Sequence, residues 1–199
     1  MKLQLFAAAG LLAACTACSG GPYINGTWTS TPTRIDNEIA MASEATSVLT
    51  MDFDAPKGAK SGGVTLSAVI NANQPVEAGA VEGFDEPYEV SVTATATING
   101  QWSREGDDRD DIVIFLDRNT LTVTVDPDGV TYSQNLLTGV EQPRVDSLTA
   151  VTAERWRSAV RTAATAQFVA LDKLDDVKVK GDILSCEVGK RDLTFRRGM

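Results

Sequence analysis

The chain has 199 residues, with 18 lysines and arginines against 27 aspartates and glutamates, no histidine, and a formal net charge of −9. That acidic balance argues against nucleic acid and anionic polysaccharide as partners. Without histidine, Ser-His-Asp and Cys-His hydrolase chemistry and the usual His-rich zinc catalysis are excluded.

The chain opens with Lys2, followed by an uncharged and largely apolar run from Leu3 to Ala14. The run is too short to cross a bilayer as a stable helix and suits the apolar region of an export signal. It ends in Leu12-Ala13-Ala14-Cys15. This tetrapeptide resembles the lipobox of bacterial lipoproteins. The resemblance implies cleavage before Cys15, lipid attachment to its thiol and anchoring to a membrane. Residue 16 is Thr, not Asp, which under the sorting rules of that class implies the outer membrane. The expected organisation is a signal peptide over 1–14, a lipidated tether over 15–25 and one domain over 26–199.

The domain alternates apolar and polar residues in strand fashion. Thr27 to Thr31 is a first strand. Residues 45–53 place Leu49, Met51 and Phe53 on one face, and 63–70 place Val64, Leu66, Ala68 and Ile70 together. The Gly-, Pro- and Lys-rich stretch 54–63 suits a hairpin loop, and the Pro-, Gly- and acid-rich stretch 71–87 an irregular connection. Residues 88–102 form a long strand. Its apolar face carries Val90, Val92, Ala94, Ala96, Ile98 and Trp102, and Gly100 gives it a place to bend. Strands follow at 111–117 and 121–126, separated by Arg118-Asn119-Thr120. Asp126-Pro127-Asp128-Gly129 then reads as a turn, with 130–133 returning as a strand.

One amphipathic helix is predicted over 153–171, with Thr152 as N-cap. Trp156, Val160, Ala164, Phe168 and Leu171 recur at helical spacing on its buried face. Arg155, Arg157 and Arg161 lie on the other side, as a solvated face. Three short strands follow, at 176–180, 183–188 and 192–197, joined by turns at Gly181-Asp182 and Gly189-Lys190-Arg191. The fold class is mainly β: a single antiparallel β-barrel or strongly curved sheet with one amphipathic helix.

Asn25-Gly26-Thr27-Trp28 resembles the Gly-x-Trp opening of lipocalins and other calycin barrels. In those families the Trp sits at the closed barrel end under an Arg from the last strand. The resemblance therefore implies a structural pair of Trp28 and Arg197. Alternation agrees: if Leu193 and Phe195 face inward, so does Arg197. In lipocalins the helix follows the last barrel strand, whereas three strands follow it here. Lipocalin-like barrels of Bacteroides-type envelope lipoproteins are the closer resemblance.

Asn99-Gly100-Gln101-Trp102 repeats the opening pattern, by duplication or by chance. The acidic run from Glu105 to Asp111 offers oxygen ligands of the kind calcium takes, but its spacing does not match an EF-hand loop, and a solvated hairpin tip fits better. If Cys15 carries lipid, Cys18 and Cys186 remain, either joined in a disulfide or with Cys186 as a buried thiol. No acid–base pair, cofactor motif or metal-ligand set stands out. The expected function is a non-enzymatic, membrane-anchored envelope lipoprotein that binds a small apolar ligand or a partner protein. The alternatives are a carboxylate-dependent envelope enzyme acting on glycans, or an inhibitor or assembly factor working through loops.

Overall fold

A computed structural model describes residues 21–82, 84–106 and 110–198. The strands β1 (Gly26–Ser30), β2 (Thr33–Arg34), β3 (Glu44–Phe53), β4 (Ser61–Val76), β5 (Tyr88–Glu105) and β6 (Asp111–Tyr132) come first. A short helix α1 (Gln134–Gly139) and a long helix α2 (Gln142–Ala170) follow. The chain ends in β7 (Lys173–Lys180), β8 (Ile183–Val188) and β9 (Arg191–Arg197). All strands belong to one antiparallel sheet, in which β1 pairs with β9 on one side and β3 on the other. That double pairing closes the sheet into a ring, although β6 meets β7 only at Ile112 and Val113, which leaves the rest of β6 as an edge beside α2. β2 continues along the same edge of β3 beyond β1, after the interruption at Thr31 and Pro32.

The alternation read from the sequence decides the inside of the ring. Val64, Leu66, Ala68, Ile70 and Ala72 of β4 are buried, as are Val90, Val92, Ala94, Ala96, Ile98 and Trp102 of β5. The opposite face of β5 carries Ser91, Thr93, Thr95 and Thr97, which are exposed or half-buried. Two hydroxyl pairs tie that outer face across strands, Thr29 with Thr50 at 3.3 Å and Ser67 with Thr97 at 3.4 Å.

Helix α2 packs on β4, β5 and β6. The outer face of these strands is mostly polar, with Val69 and Phe115 exposed on it, and the buried residues form a single cluster, so the helix lies on the concave side. Trp156, Val160, Ala164 and Phe168 on the helix are buried, with Leu171 just beyond it. The small Ala68, Ala94 and Ala96 on the facing strands leave room for a helix backbone. Arg155 and Arg161 are exposed, and Arg157 pairs with Glu154.

Besides the unexpected short helix α1 and shifts of one to three residues at the ends of other strands, three larger differences from the sequence expectation stand out. First, α2 begins eleven residues early: its N-cap is Glu141, with Pro143 in the first turn, and Thr152 sits inside the helix. Proline at a helix start costs nothing because its missing N–H has no intrahelical partner there. Second, β4 runs to Val76, so 71–76 is strand and only the stretch after it is irregular. Third, the two turns expected between 111 and 133 do not reverse the chain. β6 continues through both, and each becomes a bulge against β5. Asp117 accepts the Asn119 N–H at 3.0 Å, and Asp126 accepts the Asp128 N–H at 3.0 Å. These are Asx-type bonds, which satisfy backbone donors locally where the ladder lapses.

Gly100 marks a close approach as well as a bend. A Cβ there would lie 2.7 Å from the Phe115 carbonyl oxygen on the neighbouring strand.

Candidate functional site

The two ends of the ring differ in chemistry. At one end Trp28 pairs in register with Met51 and with Arg197. The Arg197 guanidinium lies over the Trp28 ring, 4.3 Å from its centroid, and Arg197 Nη1 donates to the Asn25 carbonyl at 2.9 Å. Trp28 Nε1 donates to the Ile24 carbonyl at 2.7 Å. Trp102 stands edge-on to Phe53, with centroids 6.2 Å apart, and Arg104 covers its ring at 5.5 Å. Both Trp residues of the repeated Asn-Gly-x-Trp pattern therefore lie under an arginine at this end. A cation over an aromatic face is attracted by the ring quadrupole and shields its apolar surface. The end is plugged by aromatic rings.

The N-terminal segment joins the ring at the plugged end. Arg104 Nη2 donates to the Pro22 carbonyl, Asn25 Oδ1 accepts the Ala55 N–H at 2.8 Å, and Ile24 is fully buried. Cys15 and Cys18 lie outside the described residues. Cys186 is a buried thiol on the inner face of β8, and burial pushes its pKa up to about 12.

The other end holds a pocket of about 720 Å³. Its walls come from β2 and the turn after it, the inner face of β3, the last turns of α2, the start of β7 and the β8–β9 hairpin. Ile35, Leu49, Leu171, Val188 and Leu193 supply apolar surface. Period-two alternation delivers Leu49, Val188 and Leu193 from three different strands.

Two polar side chains lie deep in this wall. Ser47 is 1% exposed, and its hydroxyl has no hydrogen-bond partner among the described residues. Gln167 is 9% exposed, and its amide Nε2 donates to Glu38 Oε2 at 3.0 Å. Glu38 sits on the 3-10 turn Asp36–Glu38. The Ala45 N–H and the Arg34 guanidinium hold the Asp36 carboxyl below the usual carboxylate range, and Asp36 fixes that turn against β3. The turn in turn positions Glu38 to orient Gln167.

Charge is confined to the rim. Arg34 pairs with Asp36. Lys173 pairs with Asp175 at 2.6 Å and lies 3.5 Å from Asp111, and these carboxylates raise its pKa. Lys190 and Arg191 are exposed on the β8–β9 turn. Among the described residues, no group of three or more potential metal ligands is close enough to hold an ion. Within the acidic run, Asp111 serves the sheet by accepting the Asp176 N–H at 3.1 Å; Asp107, Asp108 and Arg109 lie outside the described residues.

A smaller hollow of about 450 Å³ lies between β6 and the start of α2, lined by Pro127, Tyr132, Leu137 and Val145 among others. It contains no buried polar group without a partner, unlike the larger pocket.

Sequence reasoning singled out the plugged end and missed the pocket. The pocket residues are scattered from position 33 to 193 and share no motif. One signal was present: Ser47 and Gln167 are polar residues in registers that otherwise read as apolar, Ala45-x-Ser47-x-Leu49-x-Met51 and the helix stripe ending in Phe168. No protein-family model, curated protein or solved structure matches the chain.

Proposed function

We propose that this protein is a lipid-anchored envelope lipoprotein with a lipocalin-like barrel, which binds a small apolar ligand at its open end without catalysis. The pocket is the observation that carries this reading. Its volume falls in the range of small-molecule sites, about 300–1,000 Å³, and its lining combines apolar side chains such as Ile35, Leu49, Leu171, Val188 and Leu193 with a polar and charged rim. Barrel mouths are a preferred location for such sites. Two of the three carboxylates that line it have structural duties: Asp175 pairs with Lys173, and Glu38 orients Gln167. That supports binding over carboxylate catalysis. The lipid anchor rests on Cys15 and the preceding apolar run, and the outer membrane on Thr16. The described chain enters at the plugged end, opposite the mouth.

Titration with the neutral fluorescent probe N-phenyl-1-naphthylamine tests the reading. We expect saturable one-to-one enhancement that Ala170→Trp weakens at least tenfold, since Ala170 lines the pocket. No saturable binding, or equal binding by the variant with its fold intact, would refute it.

A further inference from the structure

We infer that the pocket selects an uncharged ligand carrying a hydroxyl or carbonyl group, which hydrogen-bonds to Ser47 and the Gln167 carboxamide. The inference rests on the ligand-binding reading above and adds the chemistry of the ligand.

Ser47 carries it. A hydroxyl on the inner face of a barrel strand, sealed from solvent and without a partner, is costly, because folding strips its water and returns nothing. Alanine or valine at this position would avoid that cost. Ser47 lines the pocket, so a ligand group that enters beside it is the partner its hydroxyl lacks. Gln167 is the second, independent feature. Its Nε2 is committed to Glu38, which fixes the carboxamide plane. Among the described residues its carbonyl oxygen has no hydrogen-bond donor. The pair thus offers one hydroxyl, able to donate or accept, and one fixed acceptor. A ligand hydroxyl can satisfy both, and a ligand carbonyl can accept from Ser47.

The arrangement of charge argues against an ionised ligand. Every charged side chain of the pocket is exposed or half-buried at the rim. Arg34 and Lys173 already have carboxylate partners. An anion reaching Lys190 or Arg191 gains only a solvent-screened surface pairing, which is weak. An anion at Ser47 would lie in the apolar interior without a countercharge.

The test uses three probes of one shape on the full chain at pH 7: 2-naphthol, which is uncharged, naphthalene, which cannot hydrogen-bond, and 2-naphthoate, which is ionised. The expected order is 2-naphthol about tenfold tighter than naphthalene, or about 1.4 kcal/mol, with 2-naphthoate weaker than 2-naphthol. In Ser47→Ala the preference for 2-naphthol over naphthalene falls below about threefold, while naphthalene affinity is retained. Gln167→Met checks the same loss from the helix side. Equal binding of naphthalene and 2-naphthol by the parent chain overturns the hydrogen-bond inference and leaves the apolar pocket standing. Tightest binding of 2-naphthoate overturns the claim that the ligand is uncharged. Absence of binding by all three overturns the ligand-binding reading itself.

Discussion

Three tryptophans are fully buried, and their indole N–H groups meet different fates. Trp28 donates to the Ile24 carbonyl at 2.7 Å, Trp102 donates to the Asp54 carbonyl at 3.2 Å, and Trp156 has no partner among the described residues. Phenylalanine in place of each gives three perturbations of equal ring loss. That loss costs about 1–2 kcal/mol in transfer and cavity terms. At Trp28 it is joined by a buried carbonyl left without a donor, about 1–3 kcal/mol, and by a weaker cation–π contact with Arg197. The sum is about 3–5 kcal/mol. At Trp156 the substitution removes an unpaired buried N–H, which returns about 1–3 kcal/mol and leaves Trp156→Phe near neutral. Trp102→Phe falls between, because its bond is longer and half-exposed. Urea unfolding followed by far-ultraviolet circular dichroism measures all three. With slopes of about 2–3 kcal/mol per molar, the upper part of the usual range, the Trp28→Phe midpoint lies about 1–2.5 M below that of Trp156→Phe. Equal midpoints at matched slopes would refute the hydrogen-bond reasoning.

Further outcomes follow from single contacts. Gly62→Ala puts a Cβ 2.1 Å from the Asp54 carbonyl oxygen and 2.9 Å from Trp102 Nε1, so the β3–β4 turn must shift and thermal stability falls by about 2 kcal/mol or more; an unchanged melting temperature contradicts that packing. Cys186 has a thiol pKa raised from 9.0 to about 12 by burial. Its contribution to stability is complete below pH 9, where the unfolded thiol is still protonated, and declines as pH rises towards 12. Per-residue alkylation at pH 8 under reducing conditions should spare Cys186 until urea unfolds the chain, and rapid labelling of the native state would contradict its burial. Cys15→Ala should release the protein from membranes or stall its processing, and unaltered maturation with normal membrane partitioning would exclude lipid attachment there.

The fold was legible wherever period and environment coincide. Val64 to Ile70 and Val90 to Trp102 alternate because one side of each strand meets the core and the other meets water, so the inner face of the ring could be read directly. The helix stripe from Trp156 to Phe168 was legible for the same reason. The first eleven residues of α2 were not, because only Val145 among them is buried, so no continuous apolar stripe marks the start of the helix. Arg118-Asn119-Thr120 and Asp126-Pro127-Asp128-Gly129 signalled a break in the ladder correctly. Whether such a break becomes a turn or a bulge depends on what β5 offers opposite it, and that is a long-range pairing invisible locally. The pocket was illegible for a related reason: closure of the ring brings Ser47, Gln167 and Leu193 together, and none of them announces the others.

The location of a bound probe bears most directly on the central claim that the open end of this barrel holds an apolar ligand. Intermolecular nuclear Overhauser effects from 2-naphthol to methyl-labelled full chain should connect its ring protons to Leu49, Leu171, Val188 and Leu193. Contacts confined to other methyls, such as those of Leu137 and Val145 in the smaller hollow, or saturating 2-naphthol without any contact to the four pocket methyls, would contradict it.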